Sequence, residues 1–196
     1  MRSQPEVAGN SLDFLIAVSR SAYSGLAERA GMGEAFAPGY LAWMVDTVEA
    51  ETSWPRDKAF RWLGFVNGAA EIVRSGVAIP ASSTMLDNFA SILGMPDPND
   101  DNEAILKAAN VENLLALEKA VSQASQPRLT KLVEAALVAG PAAKTSYCLG
   151  YVQAFATALG VIDVKGERDR TRAIYHNAYR ECGYSIPPSR ERTAAA

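Results

Sequence analysis

The sequence predicts an all-α protein: a compact bundle of about eight helices, in two halves related by a pseudo-twofold. Three observations carry that expectation. Apolar residues recur at helical spacing through one segment after another, and no stretch alternates as a strand does. One helix is also echoed 86 residues further on.

That helix spans Trp54 to Val77. Proline tolerates a first helical turn, so Trp54-Pro55 reads as its start. Turning by about 100° per residue gathers Ala59, Trp62, Leu63, Phe65, Val66, Ala69, Ala70, Ile72 and Val73 on one half. Arg61, Gly64, Asn67, Gly68, Glu71, Arg74 and Ser75 fall on the other. A glycine within a helix costs about 1 kcal/mol against alanine, so two on one face call for a reason. Close approach of another backbone supplies one. In the echo, Leu149-Gly150-Tyr151-Val152-Gln153 repeats Leu63-Gly64-Phe65-Val66-Asn67, and Ala154 takes the place of Gly68. The two helices are therefore expected to meet through their small faces, with a groove bordered by Arg61, Asn67, Tyr147 and Gln153.

The remaining elements follow in order. Asn10-Ser11 caps a helix from Leu12 to Tyr23 that ends by Gly31 or Gly33. A short helix over Gly39–Glu49 sets Leu41, Met44, Val45 and Val48 on one side. After the central helix stops at Gly76, Met85–Leu93 forms another, closed by Gly94. Met95-Pro-Asp-Pro-Asn-Asp-Asp-Asn-Glu103 is the clearest loop and the expected boundary between halves 1–95 and 104–188. Its carboxylates do not make a calcium loop, because Asn102 stands where glycine and Ala108 where glutamate is needed. They suit the start of the next helix, Glu103 to Ala124. Pro127 opens a helix to Val138, the echo helix runs to Gly160, and a last one covers Glu167–Cys182. Residues 189–196 read as a disordered tail.

Composition narrows the function. A net charge of −3 and a pI near 5.3 argue against nucleic acid as the main partner. No window is long and apolar enough for a membrane span, and the amino terminus shows no secretory signal. Cys148 and Cys182 make no metal or redox spacing, which fits a reducing, cytoplasmic setting. The single histidine, His176, removes two-histidine zinc sites, and no phosphate-binding glycine loop is present. No catalytic residues, cofactor or metal are expected. One polar cluster stands out, Glu167-Arg-Asp-Arg-Thr-Arg172, where Arg168 and Arg172 share a side with Thr171 and His176 follows a turn later. It reads as a solvated helix start or as an anion or partner site. Trp43, Trp54 and Trp62 read as core or interface anchors.

The string Arg61-Trp-Leu-Gly-Phe-Val-Asn-Gly68 resembles a motif of uncharacterised short helical proteins of bacteriophages and proteobacterial mobile elements. There the helix reads R-W-L-G-F, an aliphatic residue, then Q-G; here Asn67 replaces the glutamine, and the echo has Cys148 for tryptophan. Gly160-Val-Ile-Asp163 with Glu167–Arg172 resembles the stretch that follows such helices. The resemblance implies a phage or mobile-element accessory protein in a bacterial host cell. The leading expectation is thus a non-enzymatic protein that binds another protein and modulates a host or defence component. The alternative is a binder of a small anionic ligand or nucleotide, in a pocket between the echoed helices lined by Arg61, Asn67, Tyr147 and Gln153, with Arg168, Arg172 and His176 of the separate cluster as further ligand- or partner-binding candidates.

Overall fold

The computed structural model describes residues 11–27, 31–76 and 102–184, and every regular element within them is helical. In chain order these are α1 (Ser11–Tyr23), a 3-10 turn (Glu34–Phe36), α2 (Pro38–Ala50) and α3 (Arg56–Ser75). After the residues not described come α4 (Glu103–Gln123), α5 (Pro127–Leu137), α6 (Ala142–Ala158) and α7 (Val164–Glu181). The described residues thus hold seven α-helices against about eight expected. The expected helix over Met85–Leu93 lies outside them, as do most of the acidic loop and the tail.

Local chemistry sets the ends. Pro38 and Pro127 sit in the first turns of α2 and α5, where a missing N–H costs nothing. Gly76 ends α3 in the left-handed conformation at φ 70°, which glycine adopts without a Cβ penalty. The start of the last helix needs correction. It begins at Val164 because the Asp163 carboxylate accepts from Gly166 N at 2.8 Å, so Glu167 to Arg172 lie past the first residues rather than opening the helix.

The centre of the molecule is the pairing of α3 with α6. Gly64 lies on the backbone of Tyr147, and Gly150 lies on the backbone of Arg61. A Cβ at either glycine would fall far inside van der Waals contact with a carbonyl. The two contacts exchange under the 86-residue shift, since Tyr147 matches Arg61 and Gly150 matches Gly64. Gly68 repeats the theme one turn on, where an added Cβ would sit 2.8 Å from the Tyr151 carbonyl oxygen. Around this pair, α1 and α2 pack on α3, while α4 and α5 pack on α6. Shifting α2 by the same interval carries it onto residues 124–136, over α5.

Leu15, Leu41, Leu63, Ile72, Leu106 and Leu114 are fully buried, and each contributes about 1.5–3 kcal/mol by leaving water. Two hydrogen bonds tie polar side chains of this core across helices. Tyr151 donates to Glu71 across the α3–α6 seam, and Asn67 donates to Ser19 Oγ at 2.9 Å. Glu103, read from the sequence as an end-charge for its own helix, accepts from Ala142 N at 2.6 Å and so caps α6.

Candidate functional site

The close seam between α3 and α6 leaves no room for a groove at Gly64, Gly68 and Gly150, where one helix lies on the backbone of the other. Space opens on the flank instead. Helix α7 packs on α4, and the wedge left between it and α2 and α3 is a cavity of about 580 Å³. From α3 come Lys58, Arg61, Trp62 and Phe65, at spacings of three and four that put them on one stripe. From α7 come Arg168, Thr171, Arg172, Tyr175, His176 and Tyr179, again one stripe. Tyr40, Trp43 and Thr47 of α2, Trp54 before α3, and Gln153 of α6 complete the wall.

Two of the four residues expected at the groove, Arg61 and Gln153, line this cavity, together with Arg168, Arg172 and His176 of the separately expected basic cluster. The other two do not. Asn67 faces α1, bonded to Ser19 and to Leu63 O at 3.0 Å. Tyr147 is buried against Gly64, and burial pushes its phenol above the ordinary range. Both residues sit beside the small faces as the sequence suggested, but those faces are spent on packing.

The aromatic part of the wall is continuous. Ring centroids lie 5.3 Å apart for Tyr40–Trp43, 5.6 Å for Trp43–Trp62 and 4.8 Å for Trp54–Trp62. The indoles stay half-buried because they face the cavity, which makes them a lining as much as an anchor. Arg61 Cζ stands 3.8 Å over the Tyr175 ring, and Lys58 Nζ 3.4 Å over the Trp54 ring. Tyr175 is held for that role by donating its O–H to Asn110, which in turn donates to Ala142 O at 2.8 Å.

Charge in the wall is predominantly positive. Lys58, Arg61, Arg168 and Arg172 face Glu51 and Glu167. Glu167 is already engaged by Arg170 and by Gln153 Nε2, the latter at 2.7 Å. Arg168 has Asp169 at 3.6 Å, whereas Arg172 makes no ion pair among the described residues. Arg61 is 9% exposed and permanently charged, with Asp57 one turn back as its nearby opposite charge. Three donors of this wall are buried with no hydrogen-bond partner: Trp54 Nε1, Arg61 Nη1 and Tyr179 O–H. Such donors normally cost about 1–3 kcal/mol each, and the buried Asp57 carboxylate already sets a negative charge beside Arg61 and Tyr179.

The arrangement suits binding better than proton transfer. His176 Nε2 lies 2.6 Å from Arg180 Nη2 and must accept there, because a guanidinium only donates. The Cys148 thiol is fully buried and pushed up to about 12 by that burial. No cluster of histidine, cysteine and carboxylate groups among the described residues could hold a metal, and none of their helices is long and apolar enough to cross a membrane. No family model matches the chain, and no curated protein or solved structure matches it either.

Sequence reasoning missed Lys58, Trp54 and Tyr179 as site residues. Lys58, Arg61, Trp62 and Phe65 share an arc of about 100° on the helix, and that stripe was a usable signal. Sorting residues into apolar and polar halves split it, because the indole went to the core and the guanidinium to solvent.

Proposed function

We propose that the protein binds a small anionic ligand with a planar apolar portion in the cavity between α2, α3 and α7. The observation that carries this reading is one cavity of about 580 Å³ whose wall brings Lys58, Arg61, Arg168 and Arg172 together with Trp43, Trp54 and Trp62. Arg172 and Lys58 add charge from two helices, and the indole wall takes the flat part of the ligand. This reading is preferred to a partner-binding accessory role, as the exposed large hydrophobic residues of the described surface are spread over several elements, with only Phe14 and Val18 one turn apart. Phe14 and Val18 belong to α1, Leu115 to α4 and Val164 to α7, while Val138 follows α5.

Titration calorimetry with aryl carboxylates and aryl phosphates tests the proposal. Saturable binding that weakens with added salt, and weakens again in Arg172→Met, supports it. Absence of heat for every aromatic anion, from protein shown to be folded, contradicts it.

A further inference from the structure

We propose that Lys58 captures an aromatic 2-oxo acid as an imine, the carboxylate of that acid held by Arg61 and Arg172 and its ring by the tryptophan wall. This rests on the anion-binding reading of the same cavity and names the ligand class.

The lysine is placed for it. Its ammonium makes no ion pair or hydrogen bond among the described residues and sits against an indole face, with two guanidiniums nearby. Desolvation, then the charge of Arg61 and that of Arg172, outweigh Glu51 and Asp57 and lower its pKa to about 8. At pH 7 about a tenth of the amine is then neutral and nucleophilic, against well under a hundredth for a lysine in water. A lysine used only as a point charge gains nothing from such suppression. In a 2-oxo acid the carbonyl adjoins the carboxylate, so an amine flanked by guanidiniums meets both groups together. The cavity of about 580 Å³ leaves room for an arylmethyl substituent besides.

The step balances without any other reactant. The Nζ lone pair adds to the carbonyl carbon, giving a carbinolamine. The carbonyl oxygen then departs as water with the two amine hydrogens, leaving a C=N bond, and hydrolysis reverses it.

The test treats the full chain with phenylpyruvate and sodium borohydride, followed by peptide mapping, beside calorimetry with phenyllactate, which has no carbonyl. The expected result is a reduced adduct on Lys58, absent from Lys58→Arg, together with phenyllactate binding. Phenyllactate binding with no adduct, or with adduct spread over several lysines, overturns the imine and leaves the anion site standing. No binding of either compound removes both.

Discussion

Two matched stretches of helix, one in α3 and one in α6, have opposite fates. Lys58, Arg61, Trp62 and Phe65 line a cavity; their counterparts 86 residues on, Lys144, Tyr147, Cys148 and Tyr151, are all buried in the core. The backbones meet reciprocally through Gly64 and Gly150, so the scaffold does not account for the difference. Side chains do. A thiol and two phenols fill the space beside α6, and Tyr151 satisfies its hydroxyl on Glu71. Around α3 an indole, a guanidinium and an ammonium cannot be interred together without leaving donors unsatisfied, and the neighbouring helix stands off. A duplicated packing unit, if that is the origin of the echo, would carry its ligand chemistry in one copy only.

The largest effects should come from the shared seam. Gly64→Ala and Gly150→Ala each drive a Cβ into a carbonyl of the opposite helix, and urea unfolding should show losses above about 3 kcal/mol for either. Gly68→Ala, with an added Cβ 2.8 Å from a carbonyl oxygen and 3.0 Å from the Ala154 Cβ, should lose about 1–3 kcal/mol. Equal damage from the first two would sharpen the reciprocity, and tolerance of either would break it.

Next come changes confined to the cavity wall. Arg172→Met removes an exposed charge, so calorimetry should show affinity for an aryl carboxylate down about tenfold while the melting temperature stays put. Lys58→Met should act in the opposite sense on stability. The folded pKa of Lys58, about 8, lies below its unfolded value, so the unfolded chain binds more protons between the two. Its charge therefore weakens the fold at low pH, and that penalty fades as pH rises above 8. Lys58→Met should melt higher at pH 7, by on the order of 1 kcal/mol, with the advantage gone above about pH 10.5. A gain in stability joined to a loss of binding marks a residue kept for function.

The smallest effect concerns the closed copy. Cys148, standing where α3 has Trp62, is fully buried with its thiol pushed up to about 12, whereas Cys182 is half-buried. The native protein should react with a thiol probe at Cys182 alone, and the unfolded protein at both.

Much of this architecture was readable from the chain. Proline and glycine punctuation marked α2, α3, α5 and α6, and paired small residues announced a backbone contact that Gly64 and Gly150 make. Arg61, Gln153, Arg168, Arg172 and His176 stand out in the sequence as binding candidates, and all five line the cavity. The groove was misplaced because small residues signal close approach, and close approach excludes a ligand. What no periodicity encodes is that α7 rests on α4 and turns its basic stripe toward α3, which is where the cavity comes from.

All three tryptophans of the chain line that cavity, so fluorescence excited selectively at tryptophan reports on it. Titration with phenyllactate is expected to change the emission saturably, with an apparent affinity that falls as sodium chloride is raised. Emission unmoved by phenyllactate at millimolar concentration, in folded protein, would contradict a ligand seated among Trp43, Trp54, Trp62 and Arg61.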